Sequence, residues 1–236
     1  ARRGSGDAQF AARRASRFAD PESVMDEHAD EGDNVGVCCS IDYVDMIRDA
    51  FELQKAVVLV HDWPQDYSAM TGTIDCWWLV DDGGLALLLP WILTRKKAMR
   101  NLPMRVLTVV SDISSLYRTS MALENLIKGM RIDASVIIAT PDDIDTVTRD
   151  DLDTYHRQNP HMDRALDART LRYLQLSKMM RAHSKDAALV FCSLPVPRPE
   201  VPAVDWLSWL DLIAHDMPPV VFIRGNQQNV LSYAYT

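Results

Sequence analysis

The chain has 236 residues, 47% of them hydrophobic and 25% charged, which is typical of a globular protein with a sizeable buried core. The formal net charge of −8 argues against nucleic acid as a partner, because nucleic-acid-binding modules normally carry a basic surface. The longest apolar run, residues 85–93, is too short for a membrane-spanning helix, which needs about 20 residues, so the sequence as given predicts a soluble chain.

The first 34 residues predict a disordered or loosely docked polar tail, followed by an α/β domain at 35–236. Arginines come first and carboxylates later, and few apolar side chains are available to offset the entropy lost on ordering. Two Arg-Arg-x-Ser patterns make Ser5 and Ser16 candidate phosphosites, because paired guanidinium groups suit the acidic cleft of a basophilic kinase. A phosphate would add about two negative charges and dock or release the tail.

Helix-type repeats and short apolar runs alternate through the rest of the chain. Helices are predicted at 40–54, 85–100, 114–131, 142–156, 163–184 and 204–215, and strands at 56–60, 74–80, 104–110, 135–139, 188–194, 220–224 and 230–235. Pro90 is expected to kink or break its helix, because proline lacks a backbone donor. Short, almost wholly apolar strands between helices are typical of a doubly wound, mainly parallel sheet with helices on both faces.

The turn at 81–84, Asp-Asp-Gly-Gly, joins a predicted strand to a predicted helix. Ligands bind at such turns in open α/β sheets, because free backbone N–H groups and the helix dipole favour an anion. Asp82, Gly83 and Gly84 are therefore a possible ligand- or nucleotide-binding site. The alternative is a helix cap and tight turn without a ligand, since aspartate caps helices and glycine adopts unusual backbone angles.

A second glycine turn follows the predicted strand at 220–224. Arg224 and Gly225 are candidate binding residues here, because arginine is suited to a phosphate or to a carboxylate of a neighbouring subunit. The alternative is a turn with a solvated arginine. Neither turn carries a standard nucleotide fingerprint, GxGxxG or GxxxxGK[ST].

The sequence carries no motif for catalysis or for a metal. The six histidines are scattered, no GxSxG is present, and the four cysteines have neither zinc nor redox spacing. Four reduced thiols in the cytosol are the expectation. We predict neither an enzyme nor a metal protein.

Several ordered stretches resemble the C-terminal cytosolic domain of cation-chloride cotransporters. The most specific is 73–85, Thr-Ile-Asp-Cys-Trp-Trp-Leu-Val-Asp-Asp-Gly-Gly-Leu, which continues into a Leu-rich helix with a basic end, as in that family. Residues 45–60, 104–107, 130–133, 193–198 and 218–231 resemble further family segments in the same order. The ending 224–233 favours the Na-K-Cl and Na-Cl branch over the K-Cl branch. Cys76 stands where the family usually has valine.

The resemblance implies a regulatory domain on the cytoplasmic side of a membrane protein. Such a domain forms a homodimer, responds to regulatory kinases and supports electroneutral symport of chloride with potassium or sodium by a membrane domain of the same transporter. No cofactor is expected. The α/β layout leaves one alternative open, a nucleotide-binding sensor of the universal-stress type, with ATP near 82–84 or 195–198.

Overall fold

The computed structural model describes residues 39–63, 70–81, 83–110, 112–144, 146–160 and 168–228. The predicted tail at 1–34, the candidate phosphosites Ser5 and Ser16, Asp82 and the predicted last strand at 230–235 lie outside these residues. The division into a tail and a domain therefore stays a prediction.

The described part of the chain forms six α-helices and six strands, which mostly alternate. The helices are α1 (Ser40–Glu52), α2 (Leu85–Thr94), α3 (Ile113–Gly129), α4 (Arg149–Gln158), α5 (Ala168–Ser184) and α6 (Ala203–Ala214). The strands are β1 (Val57–His61), β2 (Ile74–Trp77), β3 (Met104–Val109), β4 (Ser135–Ala139), β5 (Leu189–Ser193) and β6 (Val220–Arg224). Within the described ranges, no helix combines the length and the apolar character that crossing a membrane requires.

The strands form one sheet in the order β1-β6-β5-β2-β3-β4. β2 lies between β5 and β3, and all strand pairs are parallel except β1 with β6, which is antiparallel. This confirms the predicted mainly parallel α/β fold. The alternating helices arise because a parallel pair needs a crossover connection, which a helix provides.

Each face of the sheet packs against its own helices. Alternate residues of β2 point to opposite faces, so Trp77 joins a core cluster with side chains of α1, α5 and α6. Ile74 and Cys76 join a second cluster with side chains of α2 and α3. Burial on both faces explains why the central strands read as continuous apolar runs rather than as an alternating pattern.

β1 differs from the buried strand that its apolar run predicts. It lies at one edge of the sheet, where Val57 is buried but Val58 is 39% exposed. A run of four apolar residues does not distinguish an edge strand from a central one, because both faces of an edge strand can still be largely covered.

The predicted helix at 142–156 is divided into two elements. A 3-10 helix, Pro141–Asp143, is followed after a break by α4, and each has its own capping box. Thr148 caps α4 by accepting the Asp151 N–H, while the Asp151 carboxylate accepts the Thr148 N–H. Two caps in succession divide the segment, because a capping threonine adopts extended rather than helical backbone angles.

α2 continues through Pro90 with help from a neighbouring strand. Pro90 cannot donate to the carbonyl oxygen of Ala86, four residues earlier, which leaves that buried acceptor without its helical donor. The thiol of Cys76 donates to this oxygen at 3.1 Å. The break expected at Pro90 is therefore absent, and α2 ends later, at Thr94.

Candidate functional site

The sheet changes winding direction between β2 and β5. From β2 the chain adds β3 and β4 on one side, whereas β5 and β6 lie on the other. In doubly wound sheets, ligands bind in the crevice outside the carboxyl ends of the two strands that flank such a point. Asp81, Gly83 and Gly84, which follow β2, border this crevice at the carboxyl edge of the sheet.

The side chain of Ser193, the last residue of β5, lies at the base of this crevice. Its hydroxyl oxygen accepts the Leu79 N–H at 3.0 Å and lies 3.4 Å from the Val80 nitrogen. The same hydroxyl donates to the Trp77 carbonyl oxygen at 3.3 Å. A serine hydroxyl has one donor and two acceptor positions, so Ser193 is fully bonded. The Leu79 N–H therefore already has a partner at this point.

The turn before α2 is a glycine turn rather than an aspartate cap. Gly84 is the N-cap residue, with φ of 86°, and Gly83 also has a positive φ of 93°. The Asp81 carboxylate accepts the Gly83 N–H at 3.2 Å, which stabilises the turn and not the helix end. The predicted cap by an aspartate is therefore not formed by Asp81.

The two predicted glycine turns meet in the folded protein. A Cβ atom on Gly83 would lie 2.3 Å from the carbonyl oxygen of Gln228, closer than any real contact. The loop after β6 therefore packs directly on the turn after β2. The Asn226 side-chain oxygen accepts the Gln228 N–H at 3.2 Å and shapes this loop.

Arg224 lies apart from this contact. It is the last residue of β6, pairs with Val57 of β1 and is half-buried. Among the described residues, its guanidinium has no hydrogen bond or ion pair. Gly225, which follows, is buried. Ligand binding by Gly83, Gly84, Arg224 and Gly225 stays a prediction.

The opposite, amino-terminal edge of the sheet contains a charged pair that no sequence motif indicated. Asp75 of β2 is 0% exposed and accepts from both Arg105 Nε, at 2.7 Å, and Arg105 Nη2. Thr73 donates to the same carboxylate at 2.6 Å, and Arg105 also donates to the His183 carbonyl oxygen. The hydrogen bond from Arg105 to Asp75 raises the pKa of the guanidinium. The sequence held one indication of this pair, an aspartate inside an apolar strand. Such a residue points to a partner because a buried charge is unfavourable without one.

The cysteines that the structure describes form no disulfide with one another; they are Cys39, Cys76 and Cys192. Burial raises the pKa of Cys192 to about 12, so this thiol stays protonated and unreactive at neutral pH. Within the described ranges, histidines, cysteines and carboxylates form no group of three that could hold a metal ion.

Comparison with known proteins adds family information. The family model described as "Solute carrier family 12" matches residues 65–235. The chain is 31% identical over 179 residues to a bumetanide-sensitive sodium-(potassium)-chloride cotransporter of Manduca sexta, covering 69% of this chain and 17% of that protein. It is 34% identical over 192 residues to solute carrier family 12 member 3 of Pseudopleuronectes americanus, covering 68% of this chain and 19% of that protein.

A third relative and one solved structure complete the comparison. Solute carrier family 12 member 2 of Mus musculus is 32% identical over 190 residues, covering 68% of this chain and 16% of that protein. The cytoplasmic domain of a prokaryotic cation chloride cotransporter has a TM-score of 0.46 and 14% identity, covering 84% of this chain and 62% of that chain. The chain thus spans about a sixth to a fifth of the length of these three relatives.

Proposed function

The chain belongs to solute carrier family 12, and we propose that it is the cytosolic regulatory and dimerisation domain of an electroneutral cation-chloride cotransporter. In this proposal, a membrane domain of the same protein moves chloride together with sodium, potassium or both. Membership confirms the family resemblance predicted from the sequence. The sodium-(potassium)-chloride cotransporter among the relatives agrees with the branch that the ending favours.

The family match along residues 65–235 is the observation that carries the proposal. The matched residues include β2 to β6 and their connecting helices, so the match covers most of the folded sheet and not a short motif. The relatives are several times longer than this chain, which is consistent with a domain that works as part of a larger carrier.

The proposed role is structural rather than catalytic. The Ser193 hydroxyl holds the segment after β2, and the loop after β6 packs on Gly83, at the edge where a doubly wound sheet takes a ligand. Such packing suits a domain that transmits position and contact between partners. The close approach of the Gln228 backbone to Gly83 favours this role over the alternative of a nucleotide sensor.

Calorimetry separates these two functions. ATP is titrated into the 236-residue chain, with and without magnesium. The cotransporter domain is expected to give no binding heat above dilution. Saturable binding that is weakened by Arg224→Ala would favour the nucleotide sensor instead.

The outer edge of β1 supports the proposed homodimer. None of the other described strands pairs with this edge. An edge strand presents backbone donors and acceptors that can pair with a strand of a second chain. The strand reads Val-Val-Leu-Val-His and carries neither lysine nor proline, the residues that usually protect an edge. Val58→Lys is expected to shift light-scattering mass towards the monomer, while Val204→Lys on α6 is a control for an exposed valine elsewhere. A wild-type chain that is monomeric at every concentration would contradict the dimer.

Transport itself is tested in the full-length native protein. Cells that express it are expected to take up rubidium or sodium only when chloride is present, and removal of residues 39–228 is expected to reduce that uptake or the amount of carrier at the cell surface. The two effects are separated by surface biotinylation. Uptake that does not depend on chloride would contradict the proposed function.

Regulation by kinases is the remaining part of the proposal. Ser5 and Ser16 are its candidate targets because each follows a pair of arginines. Mass spectrometry of the native protein is expected to find phosphate on at least one of them. Complete absence of phosphate under conditions that change transport would remove these two serines from the proposal.

A further inference from the structure

The chain segment after α2 carries a dense group of cations. Arg95, Lys96, Lys97 and Arg100 lie within six residues, without any carboxylate between them, and all four are exposed. The buried side chain of Met99 anchors this segment to the core beneath α2 and α3. The cations are therefore held on a packed surface.

The end of α3 adds two further cations beside this segment. Lys128 and Arg131 are also exposed. The first segment leads into β3 and the second into β4, and these strands are parallel neighbours in which Arg105 pairs with Ser135. Neighbouring strands lie about 4.8 Å apart, so both segments share the amino-terminal edge of the sheet. We call the six residues 95, 96, 97, 100, 128 and 131 the basic rim.

The rim is poorly neutralised by the rest of the described protein. Lys128 pairs with Glu124 at 3.4 Å, and the Arg95 guanidinium lies over the Trp91 ring. For the other four cations, the described residues provide no ion pair. The chain as a whole has a formal net charge of −8, so the rim is a local exception to an acidic protein. Six like charges on one edge attract an acidic partner.

The same chain contains a matching acidic segment. Residues 20–33 include seven carboxylates and neither lysine nor arginine. Only residues 34–38 separate this segment from Cys39, the N-cap of α1. Sequence blocks of like charge commonly serve as interaction segments.

Topology places the start of α1 at the rim's edge of the sheet. β1 begins at the carboxyl edge, because Val57 pairs with Arg224, the last residue of β6. α1 ends just before β1, and its 13 residues span about 20 Å, so Ser40 lies towards the amino-terminal edge.

The distance across the sheet can be bridged. From β1, which α1 contacts, to β3 and β4 is four to five strand spacings, about 19–24 Å. The rim lies on the face of the sheet that α2 and α3 cover, whereas α1 covers the other face, so the chain must also pass round the amino-terminal edge. Residues 34–38 reach about 17 Å when extended, and the acidic segment adds up to about 48 Å, which is long enough for this path.

We infer that the acidic segment at 20–33 docks on the basic rim of its own chain. The contact is electrostatic and intramolecular, and it covers the rim until salt, a modification or a competing anion displaces it. A tethered segment binds as an intramolecular partner at high effective concentration, so modest charge attraction is sufficient.

Carbodiimide cross-linking of the 236-residue chain tests this contact, because the reagent joins only a carboxylate and an amine that touch. At about 20 mM salt, peptides from 20–33 are expected to be linked to Lys96, Lys97 or Lys128. At about 1 M salt, where charges are screened beyond about 3 Å, the same links are expected to disappear. Mixing ¹⁴N- and ¹⁵N-labelled chains identifies links between molecules.

A charge-reversal variant sharpens the test and leaves the reporting lysines in place. Arg100→Glu with Arg131→Glu is expected to lower the yield of these links at least about fivefold, because two attractions become repulsions. Arg118→Glu with Arg172→Glu is the matched control; both arginines are exposed and lie away from the rim, so the yield is expected to stay unchanged.

Three results would overturn the inference. The first is that no link forms between 20–33 and the rim lysines at low salt. The second is that the links join ¹⁴N and ¹⁵N chains as often as random mixing allows. The third is that phosphatidylserine vesicles protect the rim lysines from acetylation equally well in the 236-residue chain and in a chain that lacks residues 20–33. That result would assign the rim to a membrane surface.

Discussion

Two polar clusters are buried at opposite edges of the same sheet, and different forces hold them together. At the carboxyl edge, the Ser193 hydroxyl joins the end of β5 to the end of β2 and the residues after it through neutral hydrogen bonds. At the amino-terminal edge, Asp75 and Arg105 form a charged pair that receives further hydrogen bonds. If a neutral partner is removed, a buried N–H or carbonyl group loses its hydrogen bond. If one ion of a pair is removed, the other stays buried as an uncompensated charge, which is more unfavourable. The charged cluster is therefore the more sensitive to a single substitution.

Arg105→Met is expected to have the largest effect. It removes the cation but keeps a side chain of similar length, so Asp75 stays buried without its counter-charge. The expected loss is about 3–5 kcal/mol in the free energy of unfolding, measured with urea. Arg118→Met, at an exposed position on α3, is the control and is expected to change little.

A double variant tests whether charge is the reason. Asp75→Leu with Arg105→Met replaces the pair by apolar side chains and is expected to recover most of the lost stability, because a buried ion pair is seldom more stable than a packed apolar pair. If the single Arg105→Met variant lost less than about 1 kcal/mol, the comparison between the two edges would be wrong.

The sequence predicted the layered fold well because its signal is local. The bounds of β4 and β6 agree with the predicted strands at 135–139 and 220–224. The sites depend on strand order, which no local pattern contains. Asp75 meets Arg105 only because β2 and β3 are neighbours in this register, and Gly83 meets Gln228 only after the whole sheet has formed.

Gly83→Ala is expected to have the second largest effect, at the neutral edge. The new methyl group would collide with the Gln228 backbone, and alanine disfavours a φ of 93°. We expect a loss of about 2–3 kcal/mol, with faster proteolysis after residue 224. Gly129→Ala is the matched control, since a methyl group at this position of α3 would meet no atom within 4 Å; it is expected to be neutral or slightly stabilising.

Ser193→Ala is expected to have a smaller effect. The Leu79 N–H would lose its acceptor while the packing around it is kept, which costs about 1–2 kcal/mol. The free energy of unfolding from urea denaturation measures this change. An unchanged value would show that the Ser193 hydroxyl does not stabilise this edge of the sheet.

The smallest expected effect is a change in acid sensitivity near the surface, where charge is screened. The hydrogen bond from Lys178 is the main reason that the pKa of Asp151 is lowered from 3.8 to about 2. Because the folded-state pKa lies below the unfolded one, this carboxylate contributes stability above about pH 4 that is lost as the pH falls towards 2.

Lys178→Met is therefore expected to reduce the loss of stability between pH 4 and pH 2, measured by thermal melting at each pH. Lys185→Met, at an exposed lysine just after α5, is expected to leave that loss unchanged. If wild type and Lys178→Met lost the same stability between pH 4 and pH 2, the pair of Lys178 and Asp151 would contribute nothing to the pH dependence of stability.

The hydrogen bond between Cys76 and Ala86 makes the integrity of α2 depend on a side chain of the neighbouring strand. Cys76→Val would leave the buried Ala86 oxygen without a donor at the turn where Pro90 supplies none, whereas Cys76→Ser would keep a donor there. The turn that proline would normally make the weakest part of a helix is thereby held by the sheet.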